Sequence, residues 1–126
     1  MDVSKEYIAM CEKAVEIQEY RSGEFWEMGD WYVIRRNVDP VFYVASEHNS
    51  DSRTPSPHEI WLPRQDQLQE MMPDPRPMML EELFHDWFEE YGCRWDWSWE
   101  QHWLAFVMKE KLNKTWHGED WIPTAE

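Results

Sequence analysis

Glu82 and His85 stand three residues apart, the spacing that puts a carboxylate and an imidazole on one helical face. This is half of the pattern with which a helical bundle holds two iron ions. The other half, a second Glu-x-x-His and two further facing glutamates, is missing, and both residues fall on the polar side of their helix. A solvated face is the preferred reading. His102 lies between Trp99 and Trp103, where a structural histidine is favoured over a ligand or a proton carrier. His48, His58 and His117 fall in loops without metal-ligand spacing. Cys11 sits on an apolar helix face, where a thiol is inert, and Cys93 beside Arg94 is the better-placed nucleophile. The chain has no GxGxxG or GxxxxGK[ST] run, and four glycines in total leave little material for a phosphate-cradling loop. No cofactor and no metal are therefore expected.

One polar run stands out as a candidate surface. Arg64-Gln65-Asp66-Gln67 carries side chains able to make forked hydrogen bonds, and it falls where a strand feeds a helix. Trp61, Arg64, Gln65 and Asp66 form the candidate binding site. The competing reading of the same residues is helix capping with an internal arginine–carboxylate pair. The alternation Trp95, Trp97, Trp99 suits either an aromatic groove or a small core, and core is preferred at this density of tryptophan.

The elements that position these residues follow from periodicity. Ser4 caps a first helix over about 5–20, with Tyr7, Ile8, Cys11, Ala14, Val15 and Gln18 on one face; Arg21-Ser22-Gly23 ends it. Residues 30–36 and 41–45 are β-branched and aromatic, and Asn37-Val38-Asp39-Pro40 between them has turn chemistry, which predicts a β-hairpin covered on both faces. The polar stretch 48–57 reads as a mobile loop. Glu59-Ile60-Trp61-Leu62 reads as a third strand, followed by about two helical turns with Pro63 at the first position. Pro73 to Pro77 reads as an extended connector. From Met79 or Leu80 to Tyr91 a second long helix turns Leu80, Leu83, Phe84, Trp87, Phe88 and Tyr91 inward, with Gly92 at its end. Ser98 and Gln101 form a capping box for a third helix over 98–112. Its stripes Trp99, Trp103, Phe106 and Leu104, Val107, Met108, Leu112 wrap more than half its surface, which predicts a central position. Trp116 to Ile122 turns at Gly118 and folds back as a lid. The expected fold is α+β: a small antiparallel hairpin or three-stranded sheet on three main helices, the last two a helical hairpin with Trp87, Trp99 and Trp103 sharing one interior.

Composition bounds the rest. A length of 126 residues predicts a single domain. The mean hydropathy of −0.84 is low, but ten Trp, five Tyr and five Phe are far more aromatic surface than a disordered chain carries. Net charge is −14, from 26 acids and 12 bases, and is spread along the chain: residues 1–63 hold 12 acids and 6 bases, residues 64–126 hold 14 and 6. Direct binding to a nucleic-acid backbone is disfavoured for want of a basic patch. A basic protein partner, or imitation of a polyanion, suits the charge better. No secretory signal and no bilayer-length apolar run occur, which together with the two lone cysteines predicts a reducing, cytoplasmic setting and no membrane.

Trp61-Leu62-Pro63-Arg64-Gln65-Asp66-Gln67-Leu68-Gln69-Glu70-Met71 and Trp103-Leu104-Ala105-Phe106-Val107-Met108-Lys109-Glu110-Lys111 resemble small hypothetical proteins encoded in phages and prophages of Firmicutes. Cys11-Glu12-Lys13-Ala14 and Trp116-His117-Gly118-Glu119-Asp120-Trp121 are similar to the same group. The resemblance implies a genomic setting and no catalytic residues. Three functions remain in view. The first is an accessory protein that binds an unidentified protein partner. The second is an acidic DNA mimic that blocks a host nuclease or DNA-binding protein, motivated by a net −6 over residues 78–100 (seven acids, one Arg). The third is a small enzyme with a site near Trp61–Asp66.

Overall fold

The computed structural model describes residues 2, 4–22, 29–34, 42–44, 59–72, 76–91 and 96–124. The turn at 37–40, the loop 48–57, the Pro73–Pro75 part of the connector, Gly92 and the stretch Cys93 to Trp95 lie outside them. The chain divides into two compact units, Met1 with Val3–Arg64, and Asp2 with Gln65–Glu126. The fold is α+β. No helix among the described residues is long and apolar enough to cross a membrane.

In the first unit, helices α1 (Lys5–Lys13) and α2 (Val15–Ser22) accompany strands β1 (Trp31–Ile34), β2 (Phe42–Val44) and β3 (Glu59–Leu62). The strands form one antiparallel sheet in the order β2-β1-β3, with Tyr32 opposite both Tyr43 and Trp61. The predicted hairpin and third strand are both present. Tyr32 and Val33, adjacent and so on opposite faces, are both buried, which makes the centre of β1 covered on each side. Ser4 caps α1, its hydroxyl accepting from the Tyr7 backbone N–H at 3.2 Å.

The single helix expected over 5–20 is instead broken at Ala14, where ψ swings to 70°. Alanine has no intrinsic reason to end a helix, so packing must supply one. The break turns Ile17 into the core and leaves Val15, expected inside, 55% exposed. It also brings the Gln18 carboxamide to the outer edge of β3. There the amide donates to the Trp61 carbonyl and accepts from the Trp61 N–H, both at 2.8 Å. One side chain thus takes the place of a neighbouring strand and closes an edge that would otherwise present unpaired backbone. Tyr7 adds a second closure, its phenol donating to the Pro63 carbonyl at 2.6 Å. Pro63 is buried and precedes the next helix, so it does not take the first helical position expected of it.

The second unit contains α3 (Gln65–Glu70), α4 (Pro77–Tyr91), α5 (Trp99–Leu112) and a hairpin of β4 (Lys114–Trp116) and β5 (Trp121–Pro123). Helix α4 begins two or three residues earlier than expected. Pro77 is its first residue, a position where the missing N–H would have had no helical partner anyway. Both halves of the Ser98–Gln101 capping box form, at 3.2 and 2.8 Å. Asn113 ends α5 in the left-handed conformation, φ 54°. Every residue of α5 from Gln101 to Met108 is buried, as a central helix requires. The tail is a true β-hairpin: Gly118, at φ 92°, makes the turn and Trp116 pairs with Trp121, both buried.

Helices α4 and α5 meet through rings. Phe84 stacks on Trp103 with centroids 4.3 Å apart and meets Phe106 edge-on at 5.3 Å, while Phe88 reaches back to Trp99 and His102. Later positions on α4 thus meet earlier ones on α5, the antiparallel arrangement of a helical hairpin. Trp87 and Trp103 are buried, but Trp99 is 57% exposed, and the expectation that all three indoles share the interior fails for it. Trp99 occupies the first residue of α5, and the Phe84 and Phe88 rings cover only part of it.

Candidate functional site

Three helical faces in the second unit converge on a cleft of 530 Å³. Helix α3 contributes Gln65, Asp66, Gln69 and Glu70, a turn-and-repeat pattern on the side opposite its buried Gln67 and Leu68. Helix α4 contributes Leu80, Glu81 and Phe84, again one face. Helix α5 contributes Trp99 and Trp103, one turn apart. Leu80, Phe84 and the two indoles make an apolar floor; three carboxylates and two carboxamides surround it. Among the described residues that line it, none is basic.

Each wall is held from behind. Leu68, Met71 and Met72 bury the inner side of α3 and the turn after it. Lys111 on α5 donates its ammonium to the Met71 carbonyl at 3.0 Å, an interaction a helix C-terminus favours. Phe84 packs against five rings, those of Trp87, Phe88, Trp99, Trp103 and Phe106, so the aromatic floor is fixed in place. The first turn of α5, which carries Trp99, is pinned twice. The capping box closes it, and Asp2 docks on it, accepting from the Ser98 hydroxyl and donating its backbone N–H to Glu100 at 3.1 Å.

The carboxylates do not converge on a point. Among the described residues no three histidine, cysteine, aspartate or glutamate side chains are placed to share a metal ion. Glu70 and Glu81 have no ion-pair partner among the described residues. Among the described residues that line the cleft there is no serine, cysteine, histidine or lysine.

The four residues singled out by sequence part company here. Gln65 and Asp66 line the cleft of the second unit. Trp61 is 1% exposed in the first unit, its ring stacked at 6.2 Å on Tyr20 and its backbone held by Gln18. Arg64 donates to the carbonyl of Gly29, whose φ of 93° suits glycine and where an added β-carbon would crowd the guanidinium at 3.1 Å. Gln69 and Glu70 were missed, although they follow Gln65 and Asp66 by one helical turn. Leu80, Glu81, Phe84, Trp99 and Trp103 come from other helices, and no local pattern announces that they meet.

The other chemical candidates are accounted for by structure. Glu82 and His85 are exposed on the outer face of α4, where His85 stands 3.8 Å from Glu89. His102 is buried; its Nδ1 lies 2.9 Å from the Ser98 carbonyl, which can only accept, so this nitrogen carries the proton. Cys11 is a buried free thiol. Comparison with protein-family models, curated proteins and solved structures finds no match.

Proposed function

We propose that this chain is a non-catalytic accessory protein, phage- or prophage-related as its sequence resemblance suggests, that acts by docking a segment of another protein in the α3–α4–α5 cleft. The observation that carries the reading is Trp99. A large aromatic face left 57% exposed, on a helix start pinned by a cap and by Asp2, is a rigid anchor of the kind that dominates binding energy at interfaces. The cleft volume of 530 Å³ lies within the range of sites that enclose a drug-sized ligand, which corresponds to a few residues of peptide. Selection from a random peptide display library tests this reading. Peptides retained by the protein and lost on Trp99→Ala are expected; a selection that returns no peptide dependent on Trp99 overturns the reading.

A second reading, a mimic of DNA, draws on the outer face of α4, where Glu81, Glu82, Asp86, Glu89 and Glu90 are all exposed. A duplex carries one charge per about 1.7 Å of its axis. Ten helical residues rise about 15 Å, so five carboxylates stand where roughly nine phosphates would. That density favours docking. Neutralising Glu82, Glu89 and Glu90 together would abolish mimicry and leave docking in the cleft unchanged.

A further inference from the structure

We infer that the cleft takes an arginine-bearing, extended basic segment of a partner protein, with the guanidinium lying on the outer face of the Trp99 indole and paired to the carboxylates of the rim. This rests on the docking reading above and gives it a ligand chemistry.

Charge is the first ground. The rim holds Asp66, Glu70 and Glu81; among the described residues no basic group lines the cleft, and neither Glu70 nor Glu81 is ion-paired. A ligand without positive charge would desolvate Glu70 and Glu81 with only neutral hydrogen bonds in return. A cationic one meets them, in a chain whose net charge of −14 draws cations from a distance.

Geometry narrows the cation. The carboxylates are spread over α3 and α4 and do not converge as a metal site requires. They lie around an aromatic floor. A guanidinium is flat, weakly hydrated and forked, so it can stack on an indole and donate to a carboxylate at the same time; an ammonium is compact, strongly hydrated and stacks poorly. The apolar floor of Leu80 and Phe84 suits the aliphatic stem of the arginine or an apolar neighbour. Gln65 and Gln69, each both donor and acceptor, suit the backbone of an extended peptide.

The test uses the full chain and an acetylated, amidated pentapeptide, Ala-Leu-Arg-Leu-Ala, with analogues carrying lysine or citrulline in place of arginine. Citrulline keeps the shape and removes the charge. The indole N–H resonance of Trp99, assigned by its loss in Trp99→Phe, reports binding. The arginine peptide is expected to shift that resonance saturably, and the citrulline and lysine analogues to bind on the order of tenfold more weakly. Trp99→Ala and the pair Glu70→Gln with Glu81→Gln are each expected to weaken the arginine peptide by a similar factor. Both sites are at the surface, and an unchanged circular dichroism spectrum certifies the fold. Citrulline or lysine peptides that bind as tightly as arginine overturn the assignment. So does binding indifferent to Glu70 and Glu81, or a Trp99 shift produced by a neutral oligosaccharide and not by the peptide. Library peptides that depend on Trp99 but carry no arginine overturn this inference alone, whereas a library that yields no such peptides overturns the docking reading with it.

Discussion

The first unit closes on hydrogen bonds from side chains to backbone, and the second closes on rings. In the first, Gln18, Tyr7 and Arg64 each reach across the unit to the backbone of a distant residue: Trp61, Pro63 and Gly29. In the second, Phe84, Trp87, Trp103 and Phe106 interlock at centroid distances of 4.3–5.7 Å. Gln18, Tyr7 and Arg64 are engaged in holding the backbone of the first unit. On α3 in the second, Gln65, Gln69 and Glu70 lie on the side away from the buried Leu68, and the rings and methionines fill the interior. Gln65, Asp66, Gln69 and Glu70 line the cleft. A core built from apolar surface frees polar groups for binding; one closed by polar groups does not.

Breaking the ring core should have the largest effect. Phe106 is fully buried and touches the rings of Phe84, Trp87 and Trp103, so Phe106→Ala is expected to cost about 3–5 kcal/mol in chemical denaturation. A loss under about 1 kcal/mol would mean the rings do not carry the second unit. Gln18→Ala comes next. It strands both the N–H and the carbonyl of Trp61 at the sheet edge, and a loss of about 1–3 kcal/mol is expected by the same measurement. Gln18→Glu keeps the acceptor but sets an oxygen against the Trp61 carbonyl, and should recover little of the loss. Ser98→Ala removes one half of the capping box and should cost about 1 kcal/mol. It also tests whether a loosened first turn of α5 weakens peptide binding at Trp99. The smallest effect belongs to Trp99→Ala. Its stability change should stay within about 0.5 kcal/mol, while binding of the arginine peptide weakens on the order of tenfold.

Legibility in the sequence followed the range of the interactions. The capping box, the hairpin strands, β3 and the acidic outer face of α4 are set by neighbours within four residues, and each is where the pattern puts it. The break at Ala14 is not local. Nothing in Met10-Cys11-Glu12-Lys13-Ala14-Val15 discourages a helix; the gain comes from placing Ile17 inside and Gln18 against Trp61, 43 residues away. Pro77 was misread in the opposite direction, because a proline-rich run hides the one position at which proline starts a helix. Trp99 shows the limit of a stripe. Spacing assigns it to the face shared with Trp103 and Phe106, yet the stripe does not say how much of that face the neighbouring rings cover. The site was half legible for a similar reason. Trp61, Arg64, Gln65 and Asp66 are consecutive enough to suggest one surface, but the strand keeps Trp61 inside while α3 turns Gln65 and Asp66 to the cleft. Their companions on α4 and α5 are brought in by packing alone.

Quenching of tryptophan fluorescence by caesium and by iodide tests the cleft most directly. The exposed indole of Trp99 stands beside an acidic rim, so it should be reached by the cation and shunned by the anion. Trp99→Phe is expected to remove a fraction of the emission that caesium quenches and iodide spares, at low salt. Quenching by caesium that is unchanged in the variant, or iodide reaching the same fraction as readily, would contradict an exposed aromatic anchor in an acidic cleft.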